Sequence, residues 1–224
     1  MLLKAIILAG GIGKRLKPIT DYVPKPLVPI NNIPIIEWQM KYLKNFGIDE
    51  VIVCSGYKTK MIENYLSMKD LGIKIKFSIE KSPLGTGGAI KKAGKMIKDD
   101  NFVVINGDII TNINLKKLVK LPNSIAAIEL KTKYGILEIE NNKIINFREK
   151  KEISKTWMNA GIYYLQKNIL KELPVKGDIE KTLFPDFAKK GNLNTIKFKN
   201  TKWHSIDSFK DIEDCALEIE KIIK

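Results

Sequence analysis

"AIILAGGIGKRLKPITDYVPKPLVPI", residues Ala5 to Ile30, opens as a buried strand and breaks at Gly10–Gly11. It then sets Lys14, Arg15, Lys17 and Lys25 on a turn-rich loop. A short apolar run closed by glycines predicts a core strand feeding a tight turn. The same grammar recurs downstream. "PIIEWQMKYLKNFG" carries apolar residues at helical spacing (Ile35, Ile36, Met40, Leu43) and stops at Gly47. "EVIVCSG" predicts a second buried strand, "KTKMIENYLSMKDLG" a second helix and "IKIKFSIE" a half-buried strand. "GTGGAIKKAGKMIK" predicts a third helix, and "FVVINGD" a strand ending in Asp108. Strands alternating with helices predict right-handed crossovers and a parallel sheet covered on both faces. Ligands of such sheets bind at the carboxyl ends of the strands, so the loops at Gly10, Gly56, Glu80 and Asp108 are the candidate site.

After Asp108 the texture changes. "SIAAIELK" and "YGILEIENNKIINFREK" are strand-like, with Asn141–Asn142 as a hairpin turn. "NAGIYYLQ" and "NTIKFK" predict further strands, "IEKTLFPDFAKKG" a helix and "SFKDIEDCALEIEKIIK" a closing amphipathic helix. No linker, repeat or low-complexity segment interrupts residues 1–224. The reading is one domain with a nucleotide-type half, 1–110, and a mixed half, 111–224.

Composition narrows the class. Of 224 residues, 44% are hydrophobic and 29% charged, as in ordinary globular proteins. No stretch reaches the roughly 20 apolar residues of a membrane span, and the N-terminus reads as a strand, not a signal peptide. The expectation is a cytoplasmic protein without a membrane partner. Cys54 and Cys215, each in an apolar pattern, read as reduced core thiols. The net charge of +14 raises the question of nucleic acid. The cations are nearly all lysine, spread along the chain and alternating with acids, which reads as a solvated surface and predicts no nucleic-acid partner. The two arginines, Arg15 and Arg148, stand out where lysine is the default.

The loop after the first strand is neither a P-loop nor a dinucleotide fingerprint. Leu8 and Arg15 break the first pattern and Leu16 the second. Two glycines after a strand still let backbone N–H groups approach phosphates, and Arg15 and Lys25 supply charge suited to a polyphosphate. Exposed lysines on a tight turn give the same letters. Asp108 is either a turn former or, beside a triphosphate, a ligand of Mg²⁺. His204, the sole histidine, excludes a multi-histidine metal site and reads as a packed or solvent-facing neighbour of Trp203.

The whole stretch is more specific than its parts. It resembles the opening of the sugar-1-phosphate nucleotidyltransferases, L-A-G-G-x-G-T-R-L-x-P-L-T-x-x-x-P-K-P-L-x-P-I, with Lys14 where the family has threonine. "EKSPLGTGGAI", "INGD", "YGILEIE", "FREK", "NAGIYYL" and "IEKTLFPDFAKKG" continue the resemblance in order along nearly the whole chain, and the "PLGTGGAI" run also resembles that of short mannose- and heptose-1-phosphate guanylyltransferases. The resemblance implies an α/β, Rossmann-like, glycosyltransferase-A-type three-layer sandwich with a mostly parallel central sheet, without the C-terminal β-helix of longer members. It implies in-line attack of a sugar-1-phosphate on the α-phosphorus of a nucleoside triphosphate, with pyrophosphate leaving. Those two compounds are the implied partners, and a homo-oligomer stays open.

Residue by residue, the resemblance gives Arg15 and Lys25 the catalytic contacts to phosphate. Leu8, Ala9, Gly10 and Gly11, with Glu80, Gly85 and Gly88, are given the nucleotide. Asp108, Gly135, Glu149, Lys150 and Asn159 are given the sugar phosphate. Asp108 also holds Mg²⁺, which Mn²⁺ can replace. The family's second metal aspartate falls in strict register on Ser205 of "KWHSIDSFKDI", and Asp207 is read as its substitute, against a role as helix cap. Glu80 stands where many uridylyl- and thymidylyltransferases carry glutamine. A carboxylate only accepts hydrogen bonds, which suits the adjacent N1–H and N2–H donors of guanine. GTP with mannose-1-phosphate or a related sugar is therefore expected. The alternatives are UTP or dTTP with glucose-1-phosphate and, from another class, a non-catalytic paralogue that binds nucleotide-sugars.

Overall fold

Alternation within the first strand fixes the layers. In β1 (Lys4–Ala9), Ala5, Ile7 and Ala9 face one side and Ile6 the other, all buried. The computed structural model describes residues 3–131, 134–148 and 152–223. The central sheet continues with β2 (Glu50–Ser55), β3 (Lys74–Ile79), β4 (Asn101–Asn106), β5 (Ser124–Lys131), β6 (Glu152–Gln166) and β7 (Asn194–Phe198), in the order β7-β5-β6-β4-β1-β2-β3. Only β6 runs against its neighbours; all other pairings are parallel. The three-layer α/β class read from the sequence holds. All six residues of β2 are buried, as a central parallel strand requires, whereas in the edge strand β3 only Ser78 is buried.

Helices α1 (Ile35–Asn45), α2 (Thr59–Ser67) and α5 (Phe209–Ala216) cover the face of Ala5 and Ile7. Helices α3 (Gly85–Gly94) and α4 (Leu183–Lys189) cover the face of Ile6. Each fully buried aliphatic side chain contributes about 1.5–3 kcal/mol. With two such cores, one on each face, the sheet is a rigid platform for its carboxyl edge. Among the described residues no helix is long and apolar enough to cross a membrane.

Several expectations need correction. The strand before Asp108 ends at Asn106, and Asp108 sits in the turn that leads to a short strand, Ile109–Thr111. That strand pairs with Trp203–Ser205, which the sequence did not signal. The helix expected at "IEKTLFPDFAKKG" is helical only from Leu183; Glu180 lies on the turn before it. The closing helix is two pieces, α5 and Ile219–Ile222. "NAGIYYLQ" is the end of β6, whose register against β5 shifts between Asn159 and Tyr163 around Gly161 (φ 70°). Such a bulge re-aims side chains, here Asn159. The Asn141–Asn142 hairpin turn is as expected, with φ of 46° and 65°. Cys54 and Cys215 are buried free thiols, and burial pushes the Cys215 thiol up to about 12.

Candidate active site

The loop after β1 is pinned by two buried residues, Leu16 and Pro26, each in a short 3-10 turn. With Leu16 in the core, its neighbour Arg15 projects outward, its side chain 74% exposed. Gly13 adopts φ 70°, and a Cβ there would lie 3.0 Å from Lys25 Cβ, so only glycine lets the loop fold back on itself. Thr20 Oγ1 donates to Gly13 O at 3.0 Å and clamps the fold-back. This brings Lys25 across the sheet edge to Asp108.

Asp108 is placed by backbone and by a buried amide. Gly107 N donates to Leu8 O at 2.9 Å, and a Cβ on Gly107 would sit 2.4 Å from that oxygen. Gln39 Nε2, from α1, donates to Asn106 O at 2.8 Å and Ile109 O at 2.9 Å, bracketing the turn. Ile206 N donates to Asp108 O at 2.9 Å, so the same turn holds the segment that carries Asp207.

Four charged groups converge there. Lys25 Nζ lies 2.8 Å from Asp108 Oδ2 and 2.7 Å from Asp207 Oδ1, and Arg15 reaches Asp207 Oδ1 at 2.8 Å. Ser205 Oγ donates to Asp207 Oδ2 at 2.9 Å. Burial would raise the Asp207 carboxyl, but the Lys25 hydrogen bond and charge, Ser205 and Arg15 outweigh it and hold it below the usual range. The alternative role of Asp207 as helix cap is excluded: Ser208 is the N-cap of α5, in a capping box with Asp211.

Beside this cluster a cavity of ≈ 490 Å³ runs from Gly10, Gly11 and Gly13 past Asn106 and Asp108 to Glu80, Gly85, Thr86 and Asp178. Glu80 Oε2 accepts from Leu84 N at 3.0 Å, while Oε1 lies against Gly10, whose Cβ would come within 2.9 Å of it. Burial pushes the Glu80 carboxyl up, against the lowering by Leu84 N–H and the Lys92 charge.

The structure gathers Leu8, Ala9, Gly10, Gly11, Arg15, Lys25, Glu80, Gly85, Asp108 and Asp207 around that cavity and an adjoining one of ≈ 240 Å³ over the charged cluster. Gly88 stands apart. It is buried inside α3, a Cβ there would lie 2.5 Å from Val175 O, and its N–H already donates to Gly177 O at 3.2 Å. It is a packing residue, not part of a phosphate cradle. Gly135 lies exposed before the outer hairpin and lines neither cavity. Asn159 sits on the β6 bulge, bonded to Tyr163 Oη and Gly161 N. Glu149 and Lys150 lie outside the described residues. Sequence reasoning missed Gly13, Gly107, Thr86 and Asp178 in the lining, and Gln39 behind it. A glycine two residues before Arg15 and one just before Asp108 were the available signals; an amide inside a helix gave none. His204, expected beside Trp203, pairs with Glu218 Oε2 at 3.1 Å.

A glycine loop bearing cations opposite two carboxylates, at the carboxyl edge of a mostly parallel sheet, defines an enzyme that handles nucleotide phosphates. The chain belongs to the nucleotidyl transferase family, whose model matches residues 4–222. It is 43% identical over 193 residues to the D-glycero-alpha-D-manno-heptose 1-phosphate guanylyltransferase of Campylobacter jejuni, spanning 84% of this chain and 85% of that protein. The enzyme of the same description from Aneurinibacillus thermoaerophilus is 41% identical over 175 residues, 75% of this chain and 76% of that protein. Among solved structures, HddC from Yersinia pseudotuberculosis matches with a TM-score of 0.78 at 31% identity, covering 97% of this chain and 99% of that one. A second structure of HddC, complexed with GMP-PN, matches with the same TM-score at 29% identity and the same coverage. The family and fold read from the sequence are thereby established.

Proposed function

We propose that this chain transfers GMP from GTP to a heptose- or mannose-1-phosphate, releasing pyrophosphate. The observation that carries the reading is the Arg15–Asp207–Lys25–Asp108 cluster, two cations and two carboxylates in one hydrogen-bonded chain beside a nucleotide-sized cavity. Its likeness to guanylyltransferases for those sugars, and to a protein complexed with GMP-PN, supports base and sugar.

A phosphate oxygen of the sugar-1-phosphate attacks the α-phosphorus, and the bond to the bridging oxygen of the β-phosphate breaks. The protein's contribution is positioning and charge stabilisation. Backbone N–H groups of Leu8–Gly11 seat the nucleotide. Exposed Arg15 swings from Asp207 to the β- and γ-phosphates, where charge grows. Lys25, its backbone stiffened by Pro24 and Pro26, turns its ammonium from the two carboxylates to the reacting phosphate. Glu80 Oε1 accepts from the guanine edge. Asp108 and Asp207 fit a hard divalent cation, Mg²⁺ or Mn²⁺, because both carboxylates converge on a single point, now the Lys25 ammonium. Among the described residues no third acidic, histidine or cysteine ligand joins them, so the remaining ligands are phosphate oxygens and water. The bound cation would offset triphosphate charge.

Purified protein is given GTP, ATP, UTP and dTTP, each with mannose-1-phosphate, a heptose-1-phosphate and glucose-1-phosphate, and pyrophosphate release is followed. GTP with the first or second acceptor should lead in kcat/KM. A preference for UTP or dTTP refutes the guanine assignment. No release with any pair refutes the enzyme reading.

A further inference from the structure

Behind the cavity wall, away from the charged cluster, a single carboxylate joins both sides of the site. Glu180 lies on the turn before α4. Its Oε2 accepts from Thr86 Oγ1 at 2.5 Å and its Oε1 from Tyr163 Oη at 3.0 Å. Thr86 lines the nucleotide cavity at the start of α3. Tyr163 is fully buried, its ring edge-on to Phe184 of α4, and its hydroxyl accepts from Asn159 Nδ2 at 3.0 Å. Thr86 Oγ1 in turn accepts from Ile179 N at 2.9 Å. Both oxygens of Glu180 are thus held by hydroxyls.

We propose that Glu180 is a positioning residue that couples the nucleotide wall to the sugar-phosphate side of the site, fixing Thr86 and Asn159 together. The inference rests on the proposed function and on the family resemblance that gives Asn159 the sugar phosphate.

A carboxylate can only accept, so both hydroxyls must point into it. The lone pairs of Tyr163 are then turned toward the amides of Asn159 and of Asn106, which itself lines the cavity, and the Asn159 amide is oriented: Nδ2 toward Tyr163, Oδ1 toward Gly161 N at 2.8 Å. Among the described residues the second N–H and the second lone pair of Asn159 have no partner, and they are held in a fixed direction, as recognition of a sugar hydroxyl requires. On the other arm, Thr86 is held where α3 begins. The segment carrying Glu180 is strapped to that same point, with Gly177 N donating to Leu84 O at 2.8 Å and Gly87 N to Gly177 O at 2.9 Å. A substrate that shifts one arm therefore shifts the carboxylate and with it the other arm, because buried hydrogen-bonded networks resist partial rearrangement.

Glu180→Gln keeps the shape but makes one oxygen position a donor, which opposes one of the two hydroxyls. It should raise KM for both GTP and the sugar-1-phosphate about fivefold, in the range of ordinary site coupling, with kcat and Tm little changed. Thr86→Val, on the nucleotide side, should raise KM for the sugar-1-phosphate as well. Thr86→Ser, which keeps the hydroxyl, should restore both. A structural role alone would lower Tm and scale activity without moving a distant KM. The proposal is overturned if Thr86→Val alters only the GTP constant, or if Glu180→Gln matches wild type for both substrates. If the wild type transfers to no sugar-1-phosphate, the functional reading fails separately. The coupling is then decided by calorimetric titration with GTP: weaker binding to Asn159→Ala and Glu180→Gln supports it, and unchanged binding overturns it.

Discussion

Lys25→Met separates the two tasks of this ammonium. Its side chain is 13% exposed and bridges two carboxylates at 2.7 and 2.8 Å, themselves 22% and 27% exposed. Breaking a fully buried pair costs about 3–5 kcal/mol. Here the acids keep some water and Asp207 keeps Arg15, so the stability loss should be about 2 kcal/mol, or about 4–8 °C in Tm for a chain of this size. Loss of a charge-stabilising donor at the reacting phosphate should lower kcat on the order of 10²- to 10³-fold. Metal binding should move the other way. Coulomb repulsion between a dication and an ammonium at about 4 Å, screened as in bulk water, is ~2 kcal/mol. The variant without nucleotide should therefore bind Mn²⁺ about 30-fold more tightly than wild type, read by electron paramagnetic resonance of free Mn²⁺. Wild type should bind the ion weakly unless a triphosphate is present to draw the cations away. Equal or weaker Mn²⁺ binding by the variant would refute the idea that Lys25 holds the place of a divalent cation between Asp108 and Asp207.

Burial holds the Glu80 carboxyl above its usual range, so its ionised form disfavours the folded state above that value and the penalty fades as pH falls through it. Glu80→Gln should accordingly raise Tm at pH 8, by less at pH 5, while narrowing the GTP preference over UTP. Asp207 is the reverse case: its lowered value adds stability that is fully present above the unfolded-state pKa of about 3.9 and is lost as pH falls through the lower folded-state value. An Asp207→Asn variant should therefore fall behind wild type in Tm at pH 7, by an amount that shrinks steadily as the pH is lowered below about 4. The same variant should lose Mg²⁺-dependent turnover more severely than Ser205→Ala; the opposite ranking would return the second metal position to Ser205. Gly107→Ala drives a Cβ to 2.4 Å from Leu8 O, a backbone atom that cannot step aside, and should cost more than 2 kcal/mol in urea unfolding.

The parallel half was legible because its signals are local. Apolar runs such as "AIILA" and "EVIVCS" announce buried strands, and Gly47 falls just past the end of α1, whereas α3 stops at Gly94, short of the Lys98 expected. The cationic loop was legible for the same reason, with Gly10, Arg15 and Lys25 inside one stretch. What stayed hidden depends on distance in sequence. The pairing of Ile109–Thr111 with Trp203–Ser205 joins segments 92 to 96 residues apart, and three residues a side carry too little periodicity to register. Gly88 misled because a glycine-rich helix start looks alike whether it meets a phosphate or, as here, the backbone of Val175 and Gly177. Asp207 was identified by its letter but located only by its contacts, since Ser208 could equally have left it at the mouth of α5.

The amide of Gln39 ties the turn bearing Asp108 to the core. Its two hydrogen bonds to Asn106 O and Ile109 O come from α1, a helix that lines neither cavity and has eight of its eleven residues buried. The openings that need least free energy begin where few apolar contacts are buried, so α1 is not among them, and the turn stays anchored while the core lasts. Gln39→Leu would leave both carbonyls without their partner and free the turn alone. Such a variant should fall silent in turnover at temperatures where its circular dichroism is still native, a gap that spectroscopy by itself would not reveal.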